Sequence, residues 1–244
     1  MSIDPKSALR QARELTERGS YEEALEKYRW FDRHAVEADP SFIGVRGSLA
    51  FRRWAELGNL YPPARQELES ARDERTQLLQ KGAIDLNLFQ DVESMNNVLG
   101  QVERTRDLFV WLASTNREFA GKCFSSAIAA LVHTSEYSLA RSFLSLPREY
   151  VIRSMRELNL NLADLPMPLP ASSVRMKDAF IGIYAEDIFR VLSILVGVGE
   201  TEEARSLCRE SLQGIADPII RAETREQLKR FSQGSNIDSL VESL

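Results

Sequence analysis

The run Gly19-Ser20-Tyr21-Glu22-Glu23-Ala24-Leu25-Glu26-Lys27-Tyr28 decides the architecture of this chain. Before it, Leu9, Ala12 and Leu15 recur at three- and four-residue steps; from Tyr21 onward Ala24, Leu25, Tyr28 and Phe31 keep the same rhythm. Such spacing lines one face of an α-helix on each side of the break. The break itself is chemical. Gly19 can take the left-handed conformation that closes a helix, and Ser20 followed by Glu23 is a capping-box pattern that opens the next. Residues 5 to 37 are therefore predicted as two helices joined by a tight turn.

The same signals extend outward. Asp4-Pro5, Asp39-Pro40 and Asp217-Pro218 each place a capping carboxylate before a proline whose fixed φ suits a first helical position. Helical periodicity continues through residues 41–57, 63–81, 86–99, 103–114, 117–133 and 137–146. Pro147 opens a further helix to Leu158. A long apolar one follows over 174–198, then 202–213 and 218–231. No stretch alternates with a period of two, so the expectation is an all-α chain of about twelve helices with short connections. Residues 159–173 break the rhythm, because Pro166, Pro168 and Pro170 forbid a continuous helix. Their Leu and Met neighbours suggest an extended strap over an apolar surface. The predicted organisation is an N-terminal helical region over 1–159, a proline-rich extended segment over 160–173 and a C-terminal helical region over 174–244.

The opening run resembles the second half of a tetratricopeptide repeat of a degenerate, bacterial type, with Gly, aromatic, Ala and aromatic at that repeat's spacing and Ala12 in the small-residue position of the first helix. Gly199-Glu200-Thr201-Glu202-Glu203-Ala204 is similar, and Ser135-Glu136-Tyr137-Ser138-Leu139-Ala140 keeps Tyr and Ala without the glycine. Gly58-Asn59-Leu60-Tyr61-Pro62-Pro63-Ala64 carries one extra residue, so its turn must differ. The resemblance implies a right-handed α-α superhelix, or a more compact variant, in which Tyr fills the gap between helices and Ala admits the next pair. It also implies recognition: such grooves take a peptide or a partner helix.

Composition bounds the function. The chain has 244 residues with 43% hydrophobic and 27% charged, 12 Gly, 9 Pro and 2 Cys, which excludes collagen-like, disulfide-stapled and disordered classes. The formal charge is -5, with no basic half or tail, which argues against nucleic acid or an anionic membrane as the main partner. The first residues hold no apolar stretch of signal-peptide length, and no window approaches the ~18 apolar residues of a membrane span, so a cytoplasmic location is expected. Cys123 and Cys208 lack metal-ligand spacing and read as buried thiols. Arg outnumbers Lys 25 to 6.

The search for chemistry finds little. His34 and His133 each fall near a helix C-terminus, where the dipole suits them. Cys123 is about 15 Å from His133 along an ideal helix. Acidic neighbours such as Glu22/Glu23, Glu186/Asp187 and Glu202/Glu203 diverge around their helices. Phosphate loops, dinucleotide fingerprints, HExxH and GxSxG are absent. No catalytic, cofactor-binding or metal-ligating residue is assigned, and Trp30, Trp54 and Trp111 read as core.

The expectation is a non-enzymatic scaffold that binds a protein or peptide segment. Alternatives are a regulatory module that senses a small molecule and an enzyme whose site is assembled from distant residues. Groove candidates are Lys6, Leu9, Arg13 and Glu17 on the first pair and Arg52, Ala55 and Glu56 on the second, with Arg13 and Arg52 favouring an acidic partner. A polar cluster of Asn96, Asn97, Gln101, Arg104 and Arg106 straddles Gly100. Its asparagines either cap the helix that Gly100 ends or contact a ligand backbone.

Overall fold

The computed structural model describes residues 4–166 and 170–242, and every regular element among them is helical. The chain divides into two compact units, Met1–Ala130 and Leu131–Leu244. The boundary falls inside one helix rather than at the proline-rich segment.

The first unit begins with α1 (Pro5–Glu17) and α2 (Tyr21–Ala38). Asp4 caps α1 by accepting from the Ser7 amide at 3.0 Å, with Pro5 at the first helical position. Gly19 closes it at φ +82°, where a Cβ would be strained. The predicted capping box is not formed: Ser20 makes no side-chain cap bond, because its ψ of 64° departs from the extended backbone of Asp4, ψ 130°, that aims a cap oxygen at the helix amides. The Asp39-Pro40 start is also displaced. Asp39 closes α2, and its Oδ1 accepts from the Ser41 amide at 2.8 Å in a tight turn.

The next helical segment is continuous but changes pitch. It runs through α3 (Phe42–Val45), a π-helical turn over Arg46–Ala50 and α4 (Phe51–Leu60). The wider turn shifts the residues on its two sides in phase. Phe42 thereby meets Phe31 edge-on at 5.7 Å, while Trp54 stacks on Tyr28 at 6.4 Å. The Trp54 indole N–H donates to the Ala64 carbonyl at 2.9 Å, so the buried ring leaves no polar atom unmet.

Only Tyr61 separates α4 from α5 (Pro62–Gln80), which is how the extra residue of the Gly58 variant is absorbed. Gly58 lies inside α4 rather than at a turn. A Cβ there would come within 2.9 Å of the Arg65 Cβ and 3.0 Å of its Cα, so this glycine sets how closely α5 approaches. After it come α6 (Leu86–Leu99), capped by Asp85, then α7 (Val102–Thr115) and α8 (Arg117–His133), in which the unit ends. The main core joins Ala12, Ala24 and Tyr28 to Phe51, Leu57 and Leu68.

The second unit contains α9 (Tyr137–Phe143), α10 (Pro147–Ala163), α11 (Ala171–Gly197), α12 (Thr201–Gln213), α13 (Pro218–Ser232) and α14 (Asp238–Glu242). Here α11 is central: α9, α10, α12 and α13 all pack on it. Its Ile181, Tyr184, Ile188, Val191, Leu192 and Leu195 are buried. Because α9 and α10 pack on α11, residues 131–159 belong to this unit and not to the N-terminal region expected for them. Helix α10 also runs past Leu158 to Ala163, since Asn159 to Ala163 contain no proline, and α11 starts at Ala171 directly after Pro170. The expected strap shrinks accordingly; Met167, Pro168 and Leu169 lie outside the described residues.

Three of the four quoted turns share one hydrogen-bond pattern. Gly19 donates to Thr16 and Ser20 to Leu15; Ser135 donates to Val132 and Glu136 to Leu131; Gly199 donates to Val196 and Glu200 to Leu195. Ser135, where the glycine is missing, still takes the left-handed backbone at φ 60°. The turn geometry survives the loss of the residue that best tolerates it.

Candidate functional site

The residues singled out from sequence separate into three environments. Arg13 is exposed on α1 and pairs with Glu17 at 2.7 Å. Arg52 is exposed on the segment containing α4, and its guanidinium folds back on the Ser48 carbonyl at 3.1 and 3.3 Å. Asn97 is exposed and bonds Glu93 on its own helix. Arg104 pairs with Asp73 at 3.0 Å. Asn96, in contrast, has no exposed surface.

Asn96 belongs to a largely buried polar network that fits neither reading of it. Its Oδ1 accepts from Arg72 Nη1 at 2.6 Å and its Nδ2 donates to Thr105 Oγ1 at 3.0 Å. Arg72, only 2% exposed, also reaches Gln101 Oε1 at 2.7 Å and Asp73 Oδ1 at 2.6 Å. A buried guanidinium is tolerable only when its donors are met, and here Asp73 of α5, Asn96 of α6 and Gln101 in the turn before α7 supply the partners. The helix end is satisfied separately by backbone: the Gly100 amide donates to Asn97 O and the Gln101 amide to Asn96 O.

A second network was not named from the sequence. Arg75 Nη2 bonds Asp32 Oδ1 at 2.6 Å, Arg75 Nε approaches Asp91 Oδ2 at 3.3 Å, and Arg46 Nη2 reaches the same Asp91 oxygen at 2.7 Å. Asp32 comes from α2, Arg46 from the π-helical turn, Arg75 from α5 and Asp91 from α6, so four elements meet through alternating charges. Asp32 and Asp91 are buried, and both arginine side chains are less than one-fifth exposed. Burial raises the Asp91 pKa above the usual carboxylate range, against the pull of Arg46 and Arg75. For Arg75, burial acts to lower the pKa, but Asp32 and Asp91 outweigh it and raise it.

This cluster borders a cleft of about 760 Å³. One wall is α2, with Arg29, Asp32 and Arg33; the other is α5, with Glu67, Ser70, Glu74 and Arg75. Trp54, Leu78 and Leu88 also line it. Two ion pairs join the walls, Asp32 to Arg75 and Arg29 to Glu67. The charges on the lining balance. Arg33 and Glu74, on opposite walls, have no ion-pair partner among the described residues.

No motif marks this cluster, because its bonded partners are 16 to 45 positions apart along the chain. One signal was present. Asp32 lies four residues after Tyr28 and three before Ala35, and Asp91 four before Met95, so both carboxylates interrupt apolar stripes. A charge at a core-facing position needs a partner.

The remaining chemical groups are quiet. Burial pushes the Cys123 and Cys208 thiols up to about 12, far from the range of a nucleophilic thiolate. Helix α8 is unbroken between Cys123 and His133, which keeps them apart. Among the described residues, no group of three or more His, Cys, Asp or Glu could hold a metal ion, and no helix is long and apolar enough to cross a membrane. No family model matches the chain, nor does any curated protein or solved structure.

Proposed function

We propose that the protein is a non-enzymatic interaction module that receives a segment of a partner protein in the cleft between α2 and α5. The observation that carries this reading is the cleft itself: two helical walls, joined by ion pairs, that present fixed charges to an open volume of about 760 Å³. Helices leave no free backbone edge along their length, so recognition would fall to side chains. That is the helix-in-groove mode. The tetratricopeptide-like turn at Gly19 to Tyr28 supports the same class of function by resemblance. Arg13 and Arg52, expected to draw an acidic partner, are both occupied by their own helices, and neither lines this cleft.

A photo-reactive residue at Ser70, inside the cleft, tests the reading against one at Arg13. Crosslinking in a lysate of the source cell should yield one identified partner segment from Ser70, and Ser70→Trp should block its binding by filling the cleft. A segment captured only from Arg13 would move the site elsewhere.

One observation favours a second reading, a module that senses a small molecule: the cleft volume falls within the range of ligand pockets. Such pockets are mostly apolar, whereas most residues of this lining are polar or charged. A thermal shift with a polar metabolite, abolished by Ser70→Trp, would establish that alternative.

A further inference from the structure

We infer that the segment received by this cleft carries both charges: it presents a basic side chain to Glu74, an acidic one to Arg33 and an apolar one to Leu78 and Leu88. The inference rests on the cleft being the binding site. It follows from which lining groups the fold has already satisfied. Arg29 is matched by Glu67 and Arg75 by Asp32, so those four charges need no counter-charge from a ligand. Arg33 on α2 and Glu74 on α5 are left over, one of each sign, on facing walls and exposed. A polyanion such as nucleic acid would find one unmatched cation and one unmatched carboxylate, and a purely acidic peptide would meet the same repulsion.

The apolar requirement comes from the same cleft. Leu78 lines it while 51% exposed, Leu88 lines it from α6, and Ile84 and Leu86 in the chain between them are 66% and 38% exposed. Along α5 the lining runs from Pro63 to Leu78, about 22 Å at the α-helical rise, enough for about four turns of a partner helix. The fitting partner is an amphipathic helix with mixed charge.

The test uses the full chain and three synthetic helical peptides on one Ala/Leu framework, bearing Arg and Glu, Glu alone or Arg alone. Affinity is read by fluorescence anisotropy and the binding position by the amide shifts of Gln66 and Ser70. The mixed peptide should bind about tenfold tighter than either single-sign peptide, and Arg33→Glu or Glu74→Lys should each weaken it by about fivefold. The double reversal should prefer the peptide whose Arg and Glu are exchanged. Both residues are exposed, so these variants should melt with the parent. If the Glu-only peptide binds as tightly while Gln66 and Ser70 shift, the mixed-charge inference fails and the cleft stands. If no peptide shifts these amides, both readings fail.

Discussion

Arg72 and Arg75 sit three residues apart on α5 and show how differently one fold can use the same side chain. Arg72 turns inward, is 2% exposed and spends its donors on Asn96, Gln101 and Asp73. Arg75 turns about one-sixth of a helical circumference away, binds two buried carboxylates and lines an open cleft. The first network is mostly neutral and centred on two buried side chains, Arg72 and Asn96. The second is fully ionic and borders solvent. The same side chain thus joins neighbouring helices through neutral amides in one place and through buried carboxylates in the other.

Arg75→Leu should cause the largest change. It strands Asp32 and leaves Asp91 with Arg46 alone, so about 4 kcal/mol of stability is expected to be lost at neutral pH in denaturant unfolding. The loss should depend on pH. Asp91 already titrates above its unfolded value of 3.8, and without Arg75 its folded pKa rises further. A native state that binds more protons loses stability as pH rises through the interval between those values, so the deficit should be small near pH ~4 and full at neutral pH. A pH-independent deficit would mean that the carboxylates are not stranded.

Arg72→Leu should cost about 3 kcal/mol, because Asn96 and Gln101 lose a donor. Its pH dependence should be flat by comparison, since the acceptors left inside are neutral amides. Helix starts repeat the contrast on a smaller scale. Asp217 accepts from the Ile219 and Ile220 amides at 2.7 and 3.1 Å, so Asp217→Ala should cost about 1 kcal/mol. Ser20→Ala, which removes no cap bond, should leave the thermal midpoint within error. Arg33→Glu, at an exposed position, should also leave stability within about 0.5 kcal/mol.

Much of the helical plan was legible. The steps of Leu9, Ala12 and Leu15, and the glycines at 19 and 199, encode local preferences that packing did not override. Local reading failed where two chemistries compete. Ser20 and Glu23 form a valid capping pattern, yet the turn from Gly19 sets a backbone that prevents the bond. Gly58 looked like a turn residue because glycine serves turns and close contacts alike; only the position of Arg65 decides which. Among the candidate residues, Arg13, Arg52, Asn97 and Arg104 are on the surface and Asn96 is buried.

The sequence by itself determined that the chain is all-α and where most helices start and stop, because periodicity, capping carboxylates and glycine turns act over a few residues. Tertiary structure alone decided which charges meet. Asp32, Arg46, Arg75 and Asp91 come from four separate helical elements, and the π-helical turn that changes the helical phase beside Arg46 has no local signature. A charge's role depends on what lies within a few ångströms of it, and for this cleft those neighbours are 16 to 45 residues away along the chain.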